Sequence, residues 1–382
     1  MKKLLCFLLC FPFIMLFGCG STEPVQGSGA SENKETEKPE ETTEEKPSQE
    51  ASTAKIPDAL SQSLITALGD SFADVDFNGV AYAVYGDEVI LNYGREYDSK
   101  TVYRIASVSK QFTAASILML CEQGRLSTSD TLDKFFPDYG GADKVQIHHL
   151  LAMRSGIGDY VTAYKDSDNI PDGLSAGNTA EQNRRVIEKW IFENTVPAPD
   201  ITYDYSNSNF FLLAEIIEQV SGMPYEDFIT KNILEPLKMS STGFQDTWTK
   251  TDLPLADGYG DGEYGFYEYK GIRYGCGDMM SDAEDLVIWA REFIKGENRL
   301  LSGNTVSQMT TNYENAGYGY GLMLDENYKV VYHSGSLPPY HSMLAVFPGE
   351  SVIIVGLDNR EPSELYGVYE KLLKNANGAL NS

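Results

Sequence analysis

Ser107-Val108-Ser109-Lys110 opens a run in which Phe112, Ala115, Leu118 and Met119 fall at helical spacing and Gly124 stops the helix. Three residues is close to one helical turn, so the Ser107 hydroxyl and the Lys110 amine share a face. A serine at a helix N-terminus sits where backbone N–H groups and the dipole favour developing negative charge. A lysine in a poorly solvated pocket has its charged form disfavoured and can take up a proton near neutral pH. Alone the string is a weak signal, because a helix cap followed by a solvated lysine reads the same way.

The flanking sequence supplies the frame. Asn78–Tyr85, the turn Gly86-Asp87-Glu88 and Val89–Tyr93 read as a β-hairpin. Helices are expected around His148–Met153, Glu181–Glu193, Phe210–Val220 and Asp282–Ile294. Strands return at Tyr318–Leu324, Lys329–His333, Ser342–Phe347 and Val352–Asp358, and Leu365–Asn375 closes the chain as a helix. Strands at both ends with helices between them predict an α+β fold. Its antiparallel sheet is built from both ends of the domain, flanked by helices, with an inserted mostly helical lobe. Residues 254–275, crowded with Gly and Tyr, read as loops or irregular strands, and Tyr259, Tyr264, Tyr267, Tyr269 and Tyr274 are candidates to wall a cleft.

Two further strings bear on chemistry. Tyr205-Ser206-Asn207 puts a phenol and an amide two residues apart in a non-helical approach to a helix, a spacing that points both side chains the same way in extended chain. His333-Ser334-Gly335-Ser336 ends a strand, where Gly335 would let a substrate backbone lie against the strand edge. Composition narrows the remaining classes. A formal charge of −26 disfavours nucleic acid or an anionic membrane surface as a partner. Four histidines (His148, His149, His333, His341), with no His-Glu-x-x-His string and no Cys-x-x-Cys pair, disfavour a metalloenzyme, and no cofactor is expected. The rival hydrolase design, a Ser-His-Asp triad on a Gly-x-Ser-x-Gly elbow, is set aside.

Taken in order at 107, 205 and 333, the three strings resemble the serine β-lactamase and penicillin-binding-protein superfamily. The Tyr-x-Asn and His-x-Gly forms are similar to its low-molecular-weight branch of class C β-lactamases, D-alanyl-D-alanine carboxypeptidases, D-amino-acid peptidases and esterases. The resemblance runs from about Asn78 to Asp358 and includes Gly124-Arg125-Leu126-Ser127 with Asp130, Ser155-Gly156-Ile157, Glu235-Pro236-Leu237-Lys238-Met239 and Met280–Leu286. It implies that Ser107 is the acylated nucleophile and that Lys110 and Tyr205 share the general-base work. It also implies that Asn207, His333, Gly335 and Ser336 bind substrate, and that the N–H groups of Ser107 and Ser336 form an oxyanion hole. The implied substrate is a small molecule or peptide, such as a peptidoglycan stem peptide. A class C-like β-lactamase and a non-catalytic penicillin-binding receptor are the alternatives. His333 stands where most β-lactamases carry a lysine, and no arginine lies between Arg299 and Arg360, so a strong anion clamp is not visible.

At the N-terminus, Lys2 and Lys3 precede the apolar run Leu4–Phe17, shorter than the about 20 residues a membrane span needs. Leu16-Phe17-Gly18-Cys19 resembles a bacterial lipobox, which implies a signal peptide over 1–19 and acylated Cys19 as a membrane anchor. Residues 20–55, with nine Glu against four Lys, read as a disordered acidic tether with a mean reach of about 30–35 Å. Residues 56–382 are then an extracytoplasmic, lipid-anchored hydrolase domain, in which Cys121 and Cys276 are expected as lone buried thiols.

Overall fold

The computed structural model describes residues 58–72, 75–165, 170–199, 203–259 and 265–382. The signal segment, Cys19, the tether and Tyr264 lie outside them. Residues Lys55–Ser382 make one compact unit. No helix among the described residues is long and apolar enough to cross a membrane.

The expected sheet forms from the two ends of this unit. β1 (Val80–Tyr85) and β2 (Glu88–Tyr93) make the hairpin. β3 (Tyr103–Arg104), β4 (Gly243–Phe244) and β5 (Met279–Ser281) form a small separate sheet in the order β3-β5-β4, which the sequence did not announce. β6 (Met323–Asp325), β7 (Val330–Leu337), β8 (Tyr340–Phe347) and β9 (Val352–Asp358) complete the main sheet, in the order β2-β1-β9-β8-β7-β6, antiparallel throughout.

Every residue of β9 is buried, because both faces of the sheet are covered. One face carries helix Leu365–Leu380, whose buried Leu365, Val368, Tyr369, Leu372, Leu373 and Ala376 recur at three- and four-residue spacing. Helix Asp58–Gly69 packs beside it. The other face holds the larger core, in which helix Ala283–Ala290 packs on the strands and helix Lys110–Glu122 lies among the helices of that core. Asp282 caps the latter by accepting from Asp285 N at 2.7 Å.

Two expectations change. The strand foreseen at Tyr318–Leu324 shrinks to β6, because Gly319 and Gly321 bring the backbone hard against neighbours. A Cβ on Gly319 would lie 2.0 Å from the Met309 carbonyl, and Gly321 has φ +70. The helix foreseen at Phe210–Val220 is Asn207–Ser221, so Asn207 is its first residue and only Tyr205 and Ser206 lie before it.

Candidate active site

The nucleophile candidate sits in a 3₁₀ turn, Ala106–Ser109, that leads into helix Lys110–Glu122. Ala106, directly before Ser107, takes φ +45, a conformation an alanine adopts only when its surroundings impose it. Those surroundings are visible. Ile105 N donates to Met279 O at 3.0 Å, Ser109 Oγ donates to Ala106 O at 2.6 Å, and Met279 N donates to Ser109 Oγ at 3.2 Å. β5 therefore clamps the turn, and half-buried Ser107 projects from it. Ser109 does this work, although only Ser107 and Lys110 carried the reading of the string.

Lys110 is fully buried, and its Nζ donates to three oxygens: Ser107 Oγ at 3.0 Å, Asn207 Oδ1 at 2.8 Å and Cys276 O at 2.7 Å. Burial lowers its pKa from the usual lysine range to about 8, against the opposing pull of Cys276, Asp159 and Asp278. A lysine already touching the hydroxyl and poised near neutrality can serve as its base. The Cys276 carbonyl could not have been found by motif, since any residue supplies one.

Tyr205 and Asn207 flank that amine. Nζ stands 5.0 Å from the Tyr205 ring centroid and 5.7 Å from that of Phe210. Asn207 is oriented by Asp159, whose Oδ1 accepts from Asn207 N at 2.9 Å and Nδ2 at 3.1 Å. Asp159 also caps helix Tyr160–Tyr164. Its sequence signal was only that of an ordinary helix cap.

β7 supplies the opposite wall. A Cβ on Gly335 would fall 2.4 Å from Ile105 O and 3.0 Å from Ala106 Cβ, so glycine is required for β7 to approach the Ser107 turn. That close approach is made by the chain itself, and it brings exposed Ser336 alongside the nucleophile's turn. Tyr366, from the first turn of the last helix, donates its hydroxyl to Gly335 O at 3.2 Å. His333 is fully buried rather than displayed. Its Nδ1 meets the Ser334 carbonyl at 2.6 Å and must carry the proton, so Nε2 accepts from Tyr318 OH at 3.1 Å. Burial, and secondarily the Lys110 charge, drops its pKa to about 3. It is a neutral buttress behind Tyr205, ring centroids 6.2 Å apart.

Of the tyrosines weighed as a cleft wall, Tyr267 has Asp159 and Cys276 as electrostatic neighbours. Tyr274 is buried under Arg184, and Tyr259 is exposed with its hydroxyl donating to Glu96. Cys276 is a buried free thiol, but Cys121 is only half-buried. The chain does contain one Gly-x-Ser-x-Gly string, Gly173-Leu174-Ser175-Ala176-Gly177, which the reading of motifs passed over. Ser175 is exposed in a turn, not at a strand-to-helix elbow, so the triad design stays set aside. Among the described residues no group of three or more His, Cys, Asp or Glu could hold a metal ion.

Comparison with known proteins gives the family and the fold. The family profile described as Beta-lactamase matches residues 62–376. The putative penicillin-binding protein PbpX of Bacillus subtilis strain 168 is 26% identical, over 78% of this chain and 75% of its own length. The octameric penicillin-binding protein homologue from Pyrococcus abyssi superposes with a TM-score of 0.69 at 27% identity, covering 84% of this chain and 77% of the other. The D-amino acid amidase from Ochrobactrum anthropi SV3, solved with L-phenylalanine amide, superposes with a TM-score of 0.68 at 23% identity over 84% and 98%, a likeness of fold.

Proposed function

This chain belongs to the β-lactamase family of serine hydrolases, and on that premise we propose that it cleaves an amide or ester of a D-amino-acid peptide of cell-wall type through an acyl-enzyme on Ser107. The observation that carries the reading is buried Lys110, 3.0 Å from Ser107 Oγ with its pKa lowered to about 8. Ser107 Oγ attacks the substrate carbonyl carbon and its proton passes to the neutral amine of Lys110. As the tetrahedral intermediate collapses, that proton reaches the leaving nitrogen or oxygen through Lys110 and the Tyr205 phenol. Water then repeats the sequence on the ester and frees Ser107. Asn207 and the β7 edge position the substrate.

The register of β7 supports an oxyanion hole at Ser336. A two-residue loop at 338–339 makes Leu337 and Tyr340 a hydrogen-bonded pair, so ladder alternation turns the N–H of Ser336 away from β8. β6 pairs only with Val330–Tyr332, which leaves that edge open opposite the Ser107 turn. Losing one such donor costs about 2.7–4 kcal/mol of transition-state stabilisation.

A class C-like β-lactamase is the second reading. Neutral His333 offers no charge to a substrate carboxylate, which favours the peptidase, amidase or esterase reading over it. A non-catalytic penicillin-binding receptor is disfavoured by the intact Ser107–Lys110 contact. We further propose that acylated Cys19 and the acidic tether hold the domain outside the membrane, beside peptidoglycan.

An intact-mass time course with a penicillin, with Ser107→Ala as control, tests the reading. A lasting adduct on Ser107 is the expected result and marks slow deacylation. Hydrolysed drug with unmodified protein would make the β-lactamase reading the better one. If the drug stays intact, D-Ala-D-Ala peptides, D-amino-acid amides and simple esters follow, and no turnover of any of them would sink the proposal.

A further inference from the structure

Asp159 belongs to none of the three strings, yet its contacts converge on the base. Its Oδ1 accepts from both the backbone N and the side-chain Nδ2 of Asn207, at 2.9 and 3.1 Å. An amide held by its NH2 at one end presents its oxygen at the other, and Asn207 Oδ1 meets Lys110 Nζ at 2.8 Å. With the amide flipped, an NH2 group would face an ammonium and Lys110 would lose one of its three acceptors. The carboxylate is itself held. Oδ2 accepts from Thr162 N at 3.1 Å and from Thr162 Oγ1 at 2.6 Å, at the start of helix Tyr160–Tyr164. One short helix thus fixes the acid, the acid fixes the amide, and the amide fixes the amine.

Electrostatics runs along the same path. Besides the Ser107 hydroxyl on its own turn, the titratable groups facing Lys110 are Tyr205 before helix Asn207–Ser221, and Asp159. Cys276 and Asp278 face it from the segment before β5, and His333 from β7. Burial drives the amine toward its neutral form. Cys276, Asp159 and Asp278 pull the other way, but burial raises the Cys276 thiol and pushes the Asp278 carboxyl up to about 8, which weakens the charge either offers near neutral pH, and neutral His333 contributes no charge of its own.

We propose that Asp159 is a positioning residue of the acyl-transfer reaction: it locks the Asn207 amide with its oxygen toward Lys110 and so sets the pH at which Lys110 becomes the free base. This rests on the hydrolase reading above. It differs from a capping role, because a cap stabilises the helix without moving the titration of a lysine on another element.

The test is the pH profile of kcat/KM for a simple p-nitrophenyl ester, measured on the wild-type chain, Asp159→Asn, Asp159→Ala and Ser107→Ala. Asp159→Asn removes the charge and keeps an oxygen able to hold Asn207; Asp159→Ala removes both. Removing a negative charge near the ammonium lowers its pKa, so the acid limb of both variants should move down by at least about 0.5 pH unit. At the plateau Asp159→Ala should lose about tenfold or more in kcat with KM little changed, and Asp159→Asn much less. The pH dependence of Ser107 labelling by a fluorophosphonate, read by intact mass, gives the same limb without turnover. Limbs that stay in place while activity falls equally at every pH, alongside a lower Tm, would reduce Asp159 to a helix cap and overturn the proposal. Ester hydrolysis by Ser107→Ala as fast as wild type would remove the hydrolase reading itself, and the proposal with it.

Discussion

His333 matters as a neutral imidazole. Its pKa of about 3 in the folded chain compares with an ordinary value of 6.5, and burial is the larger cause. Between those values the unfolded chain binds a proton that the folded chain refuses. Stability therefore falls as pH drops through this window, by about 1.4 kcal/mol per unit. Buried acids run in the opposite sense: Asp278 is pushed up to about 8 and Glu215 to about 7, so acidification favours their folded forms. The difference between wild type and His333→Gln isolates the histidine. Urea unfolding at pH 6.5 and pH 5 should show the wild type losing about 1–2 kcal/mol more than the variant; equal losses would mean the imidazole is not held neutral. Ser107, Lys110, Tyr205 and Asn207 could be singled out because each stands in a short string of side chains able to carry the chemistry, and folding brings them together; His333, expected to bind substrate, is instead buried behind Tyr205. Asp159 and the Cys276 carbonyl could not be singled out, because a cap and a backbone oxygen look the same in a string whatever they touch.

β7 is the element on which the geometry turns. Its Gly335 admits the Ser107 turn to within contact, and a methyl there would meet Ile105 O and Ala106 Cβ, both part of a clamped backbone. Gly335→Ala should therefore cost about 1–3 kcal/mol of stability and most of the acylation rate, by pushing β7 off the nucleophile's turn. Gly349→Ala, where nothing lies within 4 Å, is the matched control and should change neither. Urea unfolding and the rate of Ser107 labelling measure the pair, and unchanged labelling by Gly335→Ala would show that the turn does not depend on this approach. Periodicity located β8 and β9 well, since each is apolar over most of its length, but it ended β7 at His333, four residues early, because Ser334-Gly335-Ser336 breaks the apolar run. It misread Tyr318–Leu324, where close contacts at glycine override an alternating pattern, and it placed Asn207 outside the helix that it begins.

Among the described residues the sheet separates two cores, and the larger one surrounds the helix that carries Lys110. Phe112 stacks on Trp289 at 4.3 Å on the helix that carries Lys110, whereas Leu372 packs on the far face under the terminal helix. Phe112→Ala and Leu372→Ala should each destabilise by about 2–5 kcal/mol. Under conditions where both remain folded, Phe112→Ala should slow Ser107 acylation and Leu372→Ala should leave it close to wild type. Stopped-flow labelling checks the split, and equal slowing would mean that the two cores are coupled through the sheet. Helix Asp58–Gly69 went unread because its role lies in packing against a helix some three hundred residues later, a partner no local pattern reveals. Local order in the chain was enough to specify the elements with strong apolar periodicity, the joining of the two ends in one sheet and the side chains able to carry acyl transfer, since spacing and residue chemistry are local properties. The burial that lowers the pKa values of Lys110 and His333, the clamp of β5 on the nucleophile's turn and the chain from Asp159 through Asn207 to Lys110 arise only on folding, because each depends on groups distant in sequence meeting where water is excluded.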